Sequence, residues 1–203
     1  MAVLPDEKTM YQTLINGDNS FTGLFPPDGS NIDGSIITLA RMATPLGPMV
    51  AGAIADGICL LEFADKSMPE PQFARLKRLF HAKLLPGMCA HLSMLSQELE
   101  LYFQGRLYEF KVPLIIAGTE FQKKVWRALQ TIPYGQTRSY KQQANMIGQP
   151  KAVRAVGRAN GSNLISIIIP CHRVIGENSQ LIGYGGGLWR KRFLIDLEQK
   201  NLK

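Results

Sequence analysis

Between residues 35 and 63 the chain runs in three short β-rich stretches: Ile36-Ile37-Thr38-Leu39-Ala40, Met49-Val50-Ala51-Gly52-Ala53-Ile54-Ala55 and Ile58-Cys59-Leu60-Leu61-Glu62-Phe63. They are cut by Pro45-Leu46-Gly47-Pro48 and by Asp56-Gly57. Proline and glycine end extended runs, and Asp-Gly favours a tight hairpin, so the pattern predicts a small antiparallel sheet. Beyond it the period changes. Apolar residues fall at helical spacing over 72–80 and 91–103, with Pro86-Gly87 breaking between them. They do so again over 120–130, where Thr119 can cap a helix and Phe121, Val125, Trp126 and Leu129 share one face. A sheet-forming stretch followed by helices makes the fold class α+β.

With 203 residues, 45% of them apolar and 19% charged, the chain can build one or two packed domains; wholesale disorder and a collagen-like fibre are excluded. No run approaches the ~18 apolar residues of a membrane-spanning helix. The start carries no basic segment followed by an apolar one, so the cytoplasm is the expected compartment. The three cysteines, Cys59, Cys89 and Cys171, form no closely spaced framework, and no disulfide is expected. Cys89 with His81 and His91 lacks metal-ligand spacing, so neither a metal nor a cofactor is expected. Residues 1–35 hold Gly17, Gly23, Gly29, Gly34, Pro26 and Pro27, and read as an extension with one short helix over 10–15.

Charge is distributed unevenly. Residues 1–115 carry 9 Lys and Arg against 12 Asp and Glu, net −3, whereas residues 116–203 carry 14 against 4, net +10. A basic half suits a polyphosphate partner, although a merely solvated basic surface has the same composition. Within it, two short helices are expected over 139–146 and from 151 to about 160, joined by Ile147-Gly148-Gln149-Pro150. That is helix-turn-helix grammar, and an ordinary helical hairpin would share it. Lys151, Arg154 and Arg158 line one face of the second helix, beside Ala152, Ala155, Gly157 and Ala159, which are small enough for close approach to a partner.

The most informative stretch is Ile165-Ser166-Ile167-Ile168-Ile169-Pro170-Cys171-His172-Arg173-Val174. The β-branched run predicts a buried extended segment that Pro170 stops, leaving Cys171 at its end. A thiolate is the nucleophilic form of cysteine, and His172 and Arg173 favour it; an inert buried thiol is the alternative. Gly183-Tyr184-Gly185-Gly186-Gly187 lacks the phosphate-loop ending and reads as a loop bordering a pocket, closed by a helix over 188–199.

From about residue 118 to 198 these motifs resemble the O6-alkylguanine-DNA alkyltransferases. Phe121-Gln122-x-x-Val125-Trp126, Ile132-Pro133-Tyr134-Gly135, Ser139-Tyr140, Pro150-Lys151-Ala152-Val153-Arg154-Ala155-Val156-Gly157, Pro170-Cys171-His172-Arg173-Val174 and Gly183-Tyr184-x-Gly186-Gly187-Leu188 stand in family order, followed by Glu198. Residues 35–114, including Tyr102-Phe103-x-Gly105, resemble more weakly the family's ribonuclease-H-like N-terminal domain. The resemblance implies three parts: an extension at 1–35, a ribonuclease-H-like domain at 36–115, and a winged helix-turn-helix-like DNA-binding domain at 116–203.

It further implies irreversible transfer of the alkyl group from O6-alkylguanine in duplex DNA to Cys171 by a monomeric protein. His172, oriented by Glu198, would take the thiol proton through a water, and Tyr140 would donate to the guanine ring. Asn163 would brace the turn carrying the nucleophile. The carbonyls of Cys171 and Val174 and the amide of Gly185 would read the base, with Tyr184 as a wall. Arg154 would fill the stack vacated by a flipped nucleotide, with Ser139, Tyr140, Lys151, Ala155 and Gly157 at the DNA. Leu164 and Ser166 stand where many members have proline. Residues 11–25 faintly resemble the start of the Ada protein's phosphotriester-repair domain, without the cysteines that its zinc needs. A lesion-sensing relative without transfer, a regulator and a cysteine hydrolase are the competing classes.

Overall fold

A computed structural model describes residues 35–64 and 70–202; the expected helix over 10–15 and the stretch 11–25 lie outside them. The chain divides into two compact units, one holding residues 35–100 with Lys111–Ile115, the other Leu101–Phe110 with 116–202. The division is therefore not one cut in the sequence.

The first unit is built on β1 (Ser35–Met42), β2 (Met49–Ile54), β3 (Gly57–Phe63) and β4 (Ala82–Pro86), in the order β3-β2-β1-β4. β1 with β2 and β2 with β3 are antiparallel, but β4 runs parallel to β1, pairing Ile37 with Leu84. The expected antiparallel sheet is thus a mixed one. Pro86-Gly87 reads as a break between helices, yet Leu84, Leu85 and Pro86 are strand residues. Proline is tolerated there because β4 is the sheet's edge. The hairpin turn falls on Ala55 and Asp56, and Gly57 opens β3 at φ 150°, where a Cβ would meet the Pro113 carbonyl oxygen at 2.5 Å. Ile58 donates to that carbonyl (2.8 Å), so only glycine lets residues 113–115 lie against β3.

Helix α1 (Glu70–Phe80) and α2 (Ala90–Phe103) as far as Glu100 complete this unit, the last turn of α2 from Leu101 on belonging to the second. Phe73 and Leu76 of α1, and Leu92, Leu95 and Leu99 of α2, join Ile37, Leu39, Met49, Leu60 and Leu61 among its buried residues. Glu98 stays buried because both carboxylate oxygens accept backbone N–H groups of Lys111 and Val112.

The second unit carries α3 (Glu120–Gln130), β5 (Arg138–Ser139), α4 (Tyr140–Met146), α5 (Val153–Gly161), β6 (Val174–Ile175) and α6 (Leu188–Lys200). Thr119 caps α3 and Ser139 caps α4, each through a reciprocal capping box, with Gln122 and Gln142. α5 starts two residues later than expected, because Pro150 and Lys151 lie in the preceding turn. Trp126 donates its indole N–H to the Ala159 carbonyl (2.8 Å), tying α3 to α5. β5 and β6 pair in parallel, Arg138 with Val174, which fixes the start of α4 beside the strand that follows Cys171.

Candidate active site

The run before Cys171 is buried as expected but is not extended. Ile167 sits at φ +72°, and short-range bonds from Ile168 to the Ser166 carbonyl (2.9 Å) and from Ile169 to the Ile165 carbonyl (3.1 Å) turn the chain back on itself. A β-branched residue there is strained, and strain persists only where surroundings hold it. Asn163 holds it. Its Oδ1 accepts from Ile165 N (3.0 Å), while Nδ2 donates to Ile169 O (3.0 Å), Ile165 O (3.3 Å) and Cys171 Sγ (3.4 Å). β-propensity misleads here because a buried amide supplies the polar partners that a neighbouring strand would otherwise provide.

Cys171–Arg173 form one 3-10 turn, with Cys171 8% exposed and His172 fully buried. Glu198 on α6, 1% exposed, gathers five donors. Oε1 accepts from Tyr102 Oη (2.7 Å), His172 Nε2 (2.8 Å) and Arg173 Nη2 (3.0 Å); Oε2 accepts from Arg173 Nε (2.9 Å) and Gly135 N (2.9 Å). Arg173 also donates Nη1 to Ile132 O (2.6 Å). Burial pushes the Glu198 carboxyl up, but His172 and Arg173 outweigh it and hold the group well below the usual carboxylate range.

An ionised carboxylate can only accept, so the proton of His172 sits on Nε2. Burial lowers the imidazole's proton affinity more than Glu198 raises it, so the ring is neutral. Nδ1 is then a bare acceptor, buried and without a hydrogen-bond partner among the described residues. A nucleophile-type sulfur thus precedes in sequence an imidazole with its acceptor nitrogen uncommitted.

Tyr140 and the chain at 182–183 form the other part of the site. Tyr140 Oη bonds to the carbonyls of Ile182 and Gly183 (3.2 Å each), and burial first, then Cys171, pushes the phenol up to about 12. Tyr140, Arg154, Gly157, Ile182 and Gly183 line a cavity of about 710 Å³. Arg154 and Lys151 are exposed, Ala155 is half-buried, and Ser139 is the α4 cap. Tyr184 and Gly185 follow in the loop and are not among the residues lining that cavity.

Lys191 was not anticipated. It is fully buried and donates Nζ to the carbonyls of Val174 (2.5 Å), Ile182 (2.6 Å) and Gly183 (3.1 Å). Desolvation, opposed by Cys171, brings its ammonium down to about 8. In Arg190-Lys191-Arg192 it reads as one more basic residue; the available signal was its spacing to Leu194, Ile195 and Glu198, the buried face of α6. Tyr102 and Arg173 likewise emerge as ligands of Glu198. Among the described residues no cluster of His, Cys, Asp or Glu could hold a metal, and no helix is long and apolar enough to cross a membrane.

Residues 120–200 match the family profile described as 6-O-methylguanine DNA methyltransferase, DNA binding domain. The methylated-DNA–protein-cysteine methyltransferase of Mycobacterium leprae is 47% identical over 164 residues, covering 81% of this chain and 93% of that protein. The chain belongs to this family. The methyltransferase of Methanosarcina barkeri is 56% identical over 163 residues, 79% of this chain and 96% of its own. In fold, a crystal structure of Mycobacterium tuberculosis OGT in complex with DNA aligns with a TM-score of 0.70 and 40% identity, over 82% of this chain and 94% of that one. The α+β class and the family resemblance stand together on these likenesses.

Proposed function

We propose that the chain repairs DNA by direct, single-use transfer of an alkyl group, methyl above all, from O6 of guanine in a duplex to Cys171 Sγ. The observation that carries this reading is the buried His172 whose Nε2–H is committed to Glu198, leaving Nδ1 to take the proton of Cys171 through a water. Sulfur attacks the alkyl carbon, the C–S bond forms, and the C–O6 bond breaks with its electron pair passing to guanine. Tyr140 donates a proton to the departing base, and the proton taken from Cys171 restores the balance. The product thioether is not displaced again, so each molecule acts once. No metal or cofactor is required.

The reacting carbon is hidden inside a duplex, so the nucleotide is flipped, at a cost of roughly a few kcal/mol. Arg154, exposed on α5 at the rim of the cavity, suits filling the gap, and Gly157 and Ala155 suit close approach to the minor groove. Ser139 and Lys151 contact phosphates. The Val174 carbonyl and the Gly185 amide read the base and Tyr184 walls it. The domains expected at 36–115 and 116–203 are carried over onto the two units: residues 35–100 with 111–115 are read as a ribonuclease-H-like domain, and 101–110 with 116–202 as a winged helix-turn-helix-like one in which α4 and α5 are the two helices and β5–β6 the small sheet. The protein acts as a monomer in the cytoplasm.

The test is mass spectrometry after mixing the protein with duplex DNA containing one O6-methylguanine. Gain of one CH2 unit on the Cys171 peptide, in equimolar yield, with guanine restored, is the expected result; Cys171→Ala binds the duplex and gains nothing. Tight lesion binding without a mass change would move the reading to a lesion-sensing protein.

A further inference from the structure

Glu198 has more donors than orienting His172 requires. Three share Oε1, and the shortest of those contacts comes from Tyr102, 1% exposed, near the end of α2. Its hydroxyl must donate, since a carboxylate cannot. The ring has little freedom. It meets Phe103 and Tyr134 edge-on, at 5.4 and 6.0 Å between centroids, and Phe110 at 5.3 Å.

A carboxylate bonded only to His172 in a dry site would draw a second proton onto the ring and keep it there, and an imidazolium has no acceptor left for the thiol. Donors to Oε1 spread the carboxylate's charge and weaken that pull. We propose that Tyr102 is a positioning residue for the Cys171 reaction: its hydroxyl holds Oε1 of Glu198 and limits how strongly that carboxylate stabilises a protonated His172. This rests on the reading of His172 as acceptor of the Cys171 proton. The other charged or titratable groups facing the pair are Arg173 beside it, Lys191 on the same helix as Glu198, and Tyr134 beside Tyr102. Arg173 and Lys191 also disfavour the imidazolium, and Tyr134 makes no bond to Glu198.

Removing the hydroxyl leaves Oε1 with two donors, so Tyr102→Phe strands no buried polar atom. The experiment follows single-turnover methylation of Cys171 from saturating duplex O6-methylguanine between about pH 5 and 8.5. In Tyr102→Phe the acid limb, where His172 becomes protonated, moves up by about 0.5–1 pH unit, while the plateau rate stays within about twofold and Tm falls by a few degrees. Tyr134→Phe, which keeps the ring packing, leaves the limb in place. Incorporation of 3-fluorotyrosine at 102, nearly the same shape but a stronger donor, moves the limb down and keeps the test open if the phenylalanine variant folds poorly.

A limb that neither change at position 102 moves, or that Tyr134→Phe moves equally, overturns the inference while leaving the alkyl-transfer reading intact. A wild-type protein that never acquires the methyl group overturns both.

Discussion

At the scale of single residues, the site depends on buried polar groups satisfied by backbone. Asn163 ties together the turn before Cys171, and Lys191 does the same for the chain beyond it, joining Val174 to Ile182 and Gly183. Tyr140 shares the last two carbonyls, so the position of its hydroxyl depends on the lysine. Lys191→Met keeps the aliphatic stem but takes the Nζ donor away from the Val174 carbonyl. Transfer from duplex O6-methylguanine should slow by roughly tenfold or more, one lost charge-assisted bond at a reacting site being worth about 1.5–3 kcal/mol. Lys191→Arg should not restore it, because a planar guanidinium does not replace a compact ammonium in a fully enclosed site. Single-turnover rates decide; a methionine variant as fast as wild type would mean that these carbonyls hold their places unaided.

Among the elements, α3, α4 and α5 are locked by one pair of amides. Gln143 on α4 accepts from Asn160 Nδ2 (2.7 Å) and returns a bond to Asn160 Oδ1 (3.2 Å), while the same Nε2 reaches the Val125 carbonyl (3.2 Å) on α3. Both are buried, so Gln143→Leu strands Asn160 and should destabilise the fold by about 1–3 kcal/mol; adding Asn160→Leu should recover much of that, since removing both partners removes the unmet bond. Chemical denaturation of the two singles and the double checks this, and equal losses in all three would deny the pairing. This is also the scale at which the sequence is easiest to read and where its limits appear. The Thr119 capping box and the apolar face of 120–130 specify α3 to the residue, because capping and periodicity are local. The parallel β4 is not local: its partner β1 lies some 40 residues earlier, and nothing in Leu84-Leu85-Pro86 names it. The Ile165–Ile169 stretch fails for the converse reason, a strong local preference overruled by one asparagine. Cys171, His172 and Glu198 were legible in the motifs and Asn163 through the resemblance that they carry, whereas the bond from Tyr102 to Glu198 and the part of Lys191 become visible only when helices bring distant positions together.

For the molecule as a whole, charge sets both partner and working range. The net +10 of residues 116–203 implies that duplex binding weakens steeply with salt, whatever the sequence, and Arg154→Ala should slow duplex repair at every salt concentration while leaving reaction with the free base O6-benzylguanine unchanged. Acid acts on the fold itself. Burial, only partly opposed by Glu198, holds His172 below its ordinary 6.5, so between its folded value and 6.5 the unfolded chain binds a proton that the native one does not. Stability therefore falls as pH drops through that window. Glu198 adds a second loss of the same sign below 4.5: burial alone would raise its affinity for protons, but His172 and Arg173 depress it, and the stabilisation present above 4.5 drains away towards its folded value. Lys191 works at the other end, where lowering its ammonium to about 8 from 10.5 makes stability rise with pH between those values. Thermal melts should show Tm declining from pH 7 to 5 and more steeply below 4.5. Glu198→Gln should start lower at pH 7, with Arg173 left buried beside a neutral amide, and should lose the steep part. A wild-type Tm that stays level from pH 7 to 4 would contradict the assignment of a neutral His172 bonded to an ionised Glu198, and with it the proton acceptor on which the chemistry at Cys171 depends.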